Sequence, residues 1–315
     1  MKILVLGAGG VFGQNFADYA ERLGNRVIGI GRSPRKQKCF SLGVSFPYKP
    51  YHLVFELDYV LKEIEYFKPD VIVNFAAQGE GAASWGSDNW RFFETNCTAL
   101  IKLVSAINCH FIQIGSSEVY GSVNTPVDEQ ALTHPTSPYS VSKLAFDQYL
   151  VAMHKVKGLP MNIIRPSNCY APGQQLHRII PKTILYGLTG RKLQLHGGGV
   201  SRKSYLHASD LSSAIMRVIK GGTMGEIYNV GPDNPTSIKE VVWLCLTATG
   251  RGWDLVEESA ERMGQDGCYW LNSDKIKALG WQQVWDWDAG LKDMVDWVKS
   301  YPELTELPTD FTMRA

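Results

Sequence analysis

Short runs of mostly apolar residues recur between residues 2 and 164, and each run is four or five residues long. The runs occupy residues 2–6, 26–30, 71–75, 111–114 and 161–164. Runs that are continuously apolar, rather than alternating, are typical of strands in a parallel sheet that is covered on both faces. Stretches with helical periodicity, such as residues 14–23 and 90–107, lie between them. The pattern therefore predicts an α/β fold with a doubly wound parallel sheet.

A glycine-rich turn joins the first predicted strand to the first predicted helix, and its glycines have Gly-x-x-Gly-x-x-Gly spacing. Glycine lets the backbone approach a pyrophosphate closely, and the pyrophosphate then sits at the N-terminus of the helix. We therefore expect a Rossmann-type dinucleotide site. The residues predicted to contact the cofactor here are Gly7, Gly10, Val11, Phe12 and Gly13.

The second predicted strand is not followed by an acidic residue. In NAD sites an acidic side chain at this place usually binds the ribose 2′-hydroxyl. Here the sequence is Gly31-Arg32-Ser33-Pro34-Arg35-Lys36, and three cations with a serine suit the 2′-phosphate of NADP. We expect NADP with Arg32 and Ser33 as ligands, and NAD is the alternative. A solvated basic loop without a ligand is the other interpretation.

The run at residues 71–75 ends in a turn of small residues, where a cofactor can pass close to the backbone. Ala76, Ala77 and Gln78 are predicted to contact it. The following residues, 79–89, are rich in Gly, Ala, Ser and Trp and are interpreted as a loop that lines the site, with Ser84 as a candidate substrate contact.

Three polar residues, Ser116, Ser117 and Glu118, follow the run at residues 111–114. In open α/β sheets, ligands bind beyond the carboxyl ends of the strands. These side chains are therefore expected beside the reacting part of a bound cofactor. For Glu118 the alternative is a structural carboxylate that caps a neighbouring turn.

Tyr139 and Lys143 lie four residues apart in a segment with helical signals. Ser137 can cap the helix and Pro138 fits its first turn. Residues four apart share one helix face, and an ammonium beside a phenol lowers the phenol's pKa from about 10. Such a tyrosine can exchange a proton with a hydroxyl near neutral pH. Taken alone, the spacing also fits an exposed helix face without chemistry.

Together the motifs resemble the extended short-chain dehydrogenase/reductase family, whose members are nucleotide-sugar epimerases, dehydratases and decarboxylases. The resemblance covers roughly residues 1–245 and keeps the family's motif order. Its parts are the glycine turn, the turn at residues 74–78, Ser-Ser-Glu-Val-Tyr-Gly at residues 116–121, Tyr-x-x-x-Lys at residues 139–143 and Arg-Pro-Ser-Asn-Cys-Tyr-Ala-Pro-Gly at residues 165–173.

The resemblance implies roles for the candidate catalytic residues. Tyr139 would take a proton from a sugar hydroxyl at carbon 4 while hydride passes to the nicotinamide. Lys143 would keep Tyr139 ionised and bind the nicotinamide ribose, and Ser116 would hydrogen-bond the reacting oxygen. The triplet at residues 116–118 resembles the Thr-Ser-Glu of 4,6-dehydratases, in which the glutamate removes the carbon-5 proton.

With Arg32 and Ser33 after the second strand, the chain looks most like the GDP-mannose 4,6-dehydratases. The resemblance therefore implies an NAD(P)-dependent nucleotide-sugar 4,6-dehydratase that acts through a 4-keto sugar. A 4-epimerase, a 4-dehydrogenase/reductase and a decarboxylase remain open within the family. A non-catalytic NADPH-binding sensor is the alternative outside the enzymes.

By the same resemblance the partner is a nucleotide-diphosphate sugar. Asn168 and Arg178 are further candidate substrate contacts, and Arg202 would clamp the diphosphate. Bidentate guanidinium geometry suits that task.

The resemblance also implies two domains and a homodimer. An NAD(P)-binding domain is expected over residues 1–170, with residues 203–232 returning to it. A smaller C-terminal substrate-binding domain is expected over residues 171–315. The dimer is expected to pair helices near residues 90–107 and 138–156 in a four-helix bundle.

Composition narrows the class further. The chain has 315 residues and a net charge of +1, so bulk charge favours neither nucleic acid nor an anionic membrane. No apolar run approaches the roughly 20 residues of a membrane span, and Met1 leads into a strand without a signal-peptide pattern. The six cysteines show neither Cys-x-x-Cys nor metal spacing. We therefore expect a cytoplasmic protein with reduced thiols and no metal site.

Overall fold

Seven parallel strands form the central sheet of the computed structural model, which describes residues 1–34, 38–41, 46–79, 81–260 and 266–311. In chain order the strands of these residues are β1 (Lys2–Leu6), β2 (Arg26–Ile30), β3 (Tyr48–Lys49), β4 (Val71–Asn74), β5 (His110–Ile114), β6 (Met161–Pro166), β7 (Asn168–Tyr170), β8 (Leu193–His196), β9 (Arg202–Lys203), β10 (Tyr205–His207), β11 (Ile227–Val230), β12 (Thr236–Ser237), β13 (Val256–Ser259) and β14 (Cys268–Tyr269). The order in the main sheet is β11-β6-β5-β4-β1-β2-β3. The strand order reverses between β1 and β4, where such sheets bind dinucleotides. The predicted doubly wound fold is confirmed.

Helices cover both faces of this sheet. In chain order the helices of the described residues are α1 (Val11–Arg22), α2 (Lys38–Ser41), α3 (Leu57–Phe67), α4 (Trp90–Phe93), α5 (Ala99–Val104), α6 (Pro138–Lys157), α7 (Ile179–Thr189), α8 (Ala208–Gly221), α9 (Ile238–Ala248), α10 (Asp274–Ala278) and α11 (Trp287–Ser300). None of the helices within the described ranges is long and apolar enough to cross a membrane.

Strand β1 shows how the two faces are filled. Ile3 and Val5 are fully buried against the face that holds α1 and α8, whereas Leu4 is buried against the face that holds α3, α5 and α6. Side chains alternate between faces along a strand, and both faces are apolar here. Full burial of each such side chain contributes about 1.5 to 3 kcal/mol. The continuous apolar runs in the sequence follow directly from this double coverage.

Small sheets and three helices stand beside the carboxyl edge of the main sheet. Strand β7 pairs with β10, β8 pairs with β13, and β9 lies between β12 and β14. Helices α7, α9 and α11 share one apolar cluster, built around Ile184, Val241 and Leu291. The chain returns to the main sheet at β11, which pairs with β6.

The helix predicted over residues 90–107 is shorter and interrupted. Helix α4 continues through a π-helical segment, Glu94–Thr98, into α5, which ends at Val104. Asn96 lies in the π-helical segment and is fully buried. Its side chain makes three hydrogen bonds described below, and single π-helical turns often occur at functional sites. The apolar periodicity of the sequence did not indicate the extra residue that a π-helical turn contains.

Candidate active site

Helix α6 carries Tyr139 and Lys143. Its N-terminus is a capping box, because the backbone N–H of Ser140 donates to Ser137 Oγ (3.1 Å) and the Ser137 N–H donates to Ser140 Oγ (3.0 Å). Pro138 occupies the first turn, as predicted. The cap fixes where the helix begins, so Tyr139 and Lys143 project from its first two turns on one face.

Lys143 is deeply buried at the end of β5. Its side chain is 3% exposed, and Nζ donates to the carbonyl oxygen of Ile114 at 2.6 Å. Burial lowers the pKa of Lys143 from 10.5 to about 8, against the opposing effect of Asp147. Tyr139 is half-buried, and its ring packs edge-on against Phe92 with centroids 6.3 Å apart.

The polar triplet forms a single tight turn, Ser117–Tyr120, directly after β5. Ser116 caps this turn, because its Oγ accepts a hydrogen bond from the Glu118 N–H at 3.2 Å. Ser116 and Ser117 are both buried, whereas Glu118 is half-buried. A Cβ placed on Gly81 would lie 3.1 Å from Glu118 Oε2, so the carboxylate faces the loop after β4. Residue 80 of this loop lies outside the described residues.

A cavity of about 570 Å³ opens at the carboxyl ends of β1, β2 and β4. Predicted cofactor residues that line it are Gly7, Gly10, Arg32, Ser33, Ala76, Ala77 and Gln78, and Arg178 lines it from α7. The volume is within the usual range for ligand sites. The structure therefore brings together the glycine turn and the loops after the neighbouring strands.

The glycine turn has no room for larger residues. Gly7 has a φ of +75°, and a Cβ there would lie 2.5 Å from the Ala76 backbone nitrogen. A Cβ on Gly13 would lie 2.5 Å from the Gly7 carbonyl oxygen. Val11 and Phe12 begin α1 and pack with Ala171 and Ala208 rather than in the cavity lining. The turn thus fits a backbone approach to a dinucleotide, and Val11 and Phe12 support it from behind.

Two buried asparagines hold the turn after β4. Asn74 Oδ1 accepts from the Ala76 N–H at 3.0 Å. Asn96 Oδ1 accepts from the Gln78 N–H at 2.8 Å, and its Nδ2 donates to the Gln78 carbonyl oxygen at 3.1 Å and to Ser142 Oγ at 2.9 Å. Asn96 therefore connects a wall of the cavity to helix α6. These hydrogen bonds explain why a polar side chain is buried in the π-helical segment.

The end of β2 presents polar and basic groups to the cavity. Arg32 is exposed, and Tyr48 Oη donates to the Ser33 carbonyl oxygen at 2.6 Å. Burial, and then Arg32, lower the pKa of His52, which lines the same part of the cavity. The other two cations of the predicted cluster, Arg35 and Lys36, lie outside the described residues.

The four predicted substrate contacts have different surroundings. Ser84 is fully buried and donates to the Gly81 carbonyl oxygen at 2.6 Å, which shapes the loop after β4. Asn168 begins β7 and is half-buried. Arg178 occupies the N-cap position of α7, and its Nη2 donates to the Gly79 carbonyl oxygen at 2.5 Å. Arg202 is exposed and donates to the Pro235 carbonyl oxygen at 3.3 Å. The binding role of each stays a prediction.

Lys203, which the sequence did not single out, is buried where Arg202 is exposed, because successive strand residues face opposite ways. Its Nζ lies 3.4 Å from the ring centroid of Tyr269 and donates to the Asp266 carbonyl oxygen at 2.7 Å. Burial lowers the pKa of Lys203 to about 8, opposed by Asp266 and Glu118. Burial, then Glu118, Asp266 and Tyr139, raise the pKa of Tyr269. Lys203 and Tyr269 thus pack against each other, and β14, which carries Tyr269, contacts the turn that holds Glu118.

The cavity and the Tyr139/Lys143 pair define a dinucleotide-binding α/β enzyme in which a phenol and an amine share one helix face. The chain belongs to the NAD dependent epimerase/dehydratase family, whose model matches residues 3–231. The resemblance to the extended short-chain dehydrogenases/reductases is thereby confirmed.

Two relatives show the range of lengths in this family. The dTDP-glucose 4,6-dehydratase of Streptomyces niveus is 33% identical over 236 residues, which are 73% of this chain and 70% of that enzyme. A trifunctional UDP-glucose 4,6-dehydratase/UDP-4-keto-6-deoxy-D-glucose 3,5-epimerase/UDP-4-keto-L-rhamnose-reductase of Arabidopsis thaliana is 32% identical over 244 residues. That alignment covers 74% of this chain and 36% of the plant protein, so the chain spans only part of this relative.

A solved structure has the same architecture along nearly its whole length. The dTDP-glucose 4,6-dehydratase of Bacillus anthracis, in complex with NAD, superposes with a TM-score of 0.87 at 28% identity. The match covers 97% of this chain and 99% of that chain. That structure contains NAD, and the family whose model this chain matches is described as NAD dependent. Among the described residues there is no group of three or more His, Cys, Asp or Glu side chains that could hold a metal ion.

Proposed function

We propose that this protein is an NADP-dependent nucleotide-sugar 4,6-dehydratase that acts through a 4-keto intermediate. The observation that carries the proposal is the 2.6 Å hydrogen bond from Lys143 Nζ to the Ile114 carbonyl oxygen, which brings the helix turn of Tyr139 and Lys143 to the end of β5, where the turn that carries Glu118 begins. A carboxylate and a phenol are then available to the same bound sugar. The relatives described above have 4,6-dehydratase activity in their names.

In the first step Tyr139 acts as the base for the carbon-4 hydroxyl. Lys143, held by the Ile114 carbonyl, places its ammonium on the same helix face and favours the phenolate. Ser116 lies at the end of β5 and supplies a hydroxyl that can hydrogen-bond the reacting oxygen. A nicotinamide cofactor held at the cavity lined by Gly7, Gly10 and Ala76 would supply the hydride chemistry, as acceptor for carbon 4 and donor to carbon 6.

In the second step Glu118 acts on the ketone. A carbonyl at carbon 4 acidifies the proton at carbon 5, which Glu118 removes while hydroxide leaves from carbon 6 with a proton. Ser117 is a weak acid and is buried, so Glu118 or a water delivers that proton. An epimerase has no use for this carboxylate, and Glu118 therefore favours dehydration over simple stereochemical inversion.

NADP rather than NAD is proposed from the end of β2. Arg32 and Ser33 line the cavity there, and no acidic residue follows the strand in this part of the chain. An acidic residue would bind a ribose hydroxyl, whereas a guanidinium pairs with a phosphate. The Bacillus anthracis structure named above contains NAD, so cofactor preference is a property to measure on this chain.

We also propose the assembly and the division of the chain that the sequence suggested. Residues 1–170, with residues 203–232, would hold the cofactor, and residues 171–315 would hold the nucleotide-diphosphate sugar. The pairing of β11 with β6 supports the return to the first unit. A homodimer would form through α6 and the helical segment from α4 to α5.

The reaction is tested by incubating the purified protein with dTDP-, UDP- and GDP-hexoses and reading the products by mass spectrometry. Loss of one water from one of them is the expected result. Loss of carbon dioxide from a uronic acid substrate, or an unchanged mass with altered stereochemistry, would replace the dehydratase by a decarboxylase or an epimerase. Tyr139→Phe serves as the inactive control.

A further inference from the structure

An ion pair is buried behind the catalytic lysine. Asp147 lies one helical turn beyond Lys143 on α6, and its Oδ2 accepts from Arg165 Nε of β6 at 3.0 Å. The side chains are 0% and 2% exposed. Within the described part of the chain, no other ion pair has both partners buried.

Stability alone does not account for such a pair. Removing two charges from water costs more than their attraction usually returns, and apolar replacements of similar volume are often neutral or stabilising. The location of the pair is specific, however. A Cβ on Gly115 would lie 3.1 Å from Arg165 Cγ and 3.4 Å from Asp147 Oδ2, so the pair packs directly against the residue between β5 and the catalytic turn.

The pair also connects to the turn that carries Glu118. Arg165 Nη1 donates to Tyr120 Oη at 2.9 Å, and Tyr120 Oη donates to Asn229 Oδ1 at 2.9 Å. Asn229 lies on β11, and its N–H donates to Glu129 Oε1 at 2.8 Å. The charged or titratable groups that face the pair are therefore Lys143 from α6, Tyr120 from the turn and, through Asn229, Glu129.

The charges of this buried group do not balance when Tyr139 is neutral. Burial raises the pKa of Asp147, and Arg165 and Lys143 oppose that rise. When Asp147 is ionised, which its 3.0 Å bond to Arg165 Nε favours, Lys143 and Arg165 contribute two positive charges and Asp147 contributes one negative charge. A phenolate at Tyr139, four residues before Lys143, brings the sum to zero. Asp147 Oδ1 has no hydrogen-bond partner among the described residues, so its negative charge is opposed by Arg165 and Lys143 alone.

We propose that Asp147 and Arg165 are a positioning pair that sets how much of the Lys143 charge acts on Tyr139. Arg165 neutralises Asp147, and the ammonium of Lys143 is thereby left to stabilise the phenolate. The inference rests on the proposed function only in that Tyr139 is the hydroxyl base. On this inference, a buried pair that touches no substrate sets the pH range in which the first chemical step, the oxidation at carbon 4, proceeds.

The test is the pH profile of the oxidation step, followed as reduction of bound NADP⁺ by the accepted nucleotide sugar in single turnovers. Asp147→Asn removes the negative charge, so both limbs of the profile shift to lower pH by about two pH units, the size expected of one charge roughly 6 Å away at an effective dielectric constant of about 20. Arg165→Gln leaves Lys143 as the counter-ion of Asp147, and both limbs shift to higher pH.

Two further variants separate charge from packing. The double variant Asp147→Asn/Arg165→Gln removes both charges, and its profile returns to that of the unmodified protein. Arg165→Lys keeps the charge and leaves the limbs in place, whatever its effect on the maximum rate. If Asp147→Asn does not fold, Arg165→Gln alone tests the proposal. Limbs of the Arg165→Gln profile that stay in place or shift to lower pH would overturn the proposal.

Unshifted limbs in both folded single variants, with cofactor affinity preserved, would reduce the pair to a structural role. Because the readout is oxidation, it does not depend on dehydration. Shifted limbs with no loss of water would keep the positioning pair and exclude the dehydratase. Loss of water with unshifted limbs would support the dehydratase and exclude the positioning pair.

Discussion

Lys143 Nζ donates a 2.6 Å hydrogen bond to the carbonyl oxygen of Ile114, and this bond joins the catalytic helix to the last residue of β5. The amine is held where it is almost dry, and burial lowers its pKa from 10.5 to about 8. The bond therefore fixes the position of an amine that gains or loses its proton, and with it its charge, within the pH range in which enzymes work.

Activity is expected to fall as the pH rises through about 8, because Lys143 then loses the proton whose charge stabilises the Tyr139 phenolate. The pKa of Lys143 in the folded protein lies below the usual 10.5 of a lysine, so the loss occurs below the pH at which an exposed lysine would titrate. The measurement is turnover against pH for the unmodified protein and for Lys143→Arg. The arginine variant stays charged, so its slower reaction should lack this alkaline decline. A decline at the same pH in both proteins would assign it to another group.

Tyr139→Phe is expected to lower turnover by about two to four orders of magnitude, because only a proton-transfer group is lost. Cofactor affinity, measured by calorimetry, should change little. Tyr149→Phe is the matched control: it lies on the same helix, but its hydroxyl contacts Ser105 at 3.2 Å on the exposed side. Full turnover in Tyr139→Phe would remove this residue from the mechanism.

Glu118→Gln is expected to oxidise carbon 4 but to release little dehydrated sugar. The amide cannot take the carbon-5 proton, so the absorbance of reduced nicotinamide should persist, at most in proportion to the enzyme present. Solvent deuterium should enter carbon 5 of the product with the unmodified protein and not with the variant. Glu65→Gln, an exposed change on α3, is the control. Normal dehydration by Glu118→Gln would leave the epimerase or dehydrogenase as the better assignment.

Arg32→Asp is expected to change the cofactor preference from NADP to NAD, because a carboxylate repels a 2′-phosphate and accepts from a 2′-hydroxyl. Calorimetric titration of each cofactor measures this directly. Arg26→Asp makes the same change at the other, exposed end of β2 and should leave the preference alone. Equal affinities of the unmodified protein for the two cofactors would argue against the role of Arg32.

Gly13→Ala is expected to weaken cofactor binding and to destabilise the fold by about 1 to 3 kcal/mol, the usual cost of overpacking. The added Cβ would lie 2.5 Å from the Gly7 carbonyl oxygen, and the turn would have to move. Gly221→Ala is the control, because no atom lies within 4 Å of its Cβ position on α8. Chemical denaturation and cofactor titration of the two variants should differ clearly, and similar losses in both would refute the steric account.

The sheet was predictable because each central strand is covered on both faces, which forces a continuous apolar run such as the one around Ile3 and Leu4. The cap of α6 was equally visible, since Ser137 and Pro138 act locally. Predictions failed where the determinant is not local. The helix over residues 90–107 contains a π-helical segment whose reason, the bonds from Asn96 to Gln78 and Ser142, lies outside the helix.

The site shows the same limit. The inward direction of Lys203 depends on a strand of two residues, β9, which is too short for its alternation to be read from sequence. The partner of Asp147 is Arg165, eighteen residues away on a strand, and nothing in the spacing announces the pair. The pair Tyr139 and Lys143, which lie on one turn of a single helix, could be predicted from the sequence. The pair Asp147 and Arg165, which lie on two different elements, could not.

The apolar layer formed by α7, α9 and α11 has a consequence for chimeras made from two members of this family. Helix α7 follows β6, whereas α9 and α11 follow β11, so the chain departs from the main sheet twice to build one apolar layer. A recombinant between two relatives with its crossover at β7 inherits the whole layer from one parent. A crossover near β11 combines helices of different parents in one core. Chimeras of the first kind should therefore remain better packed than chimeras of the second kind.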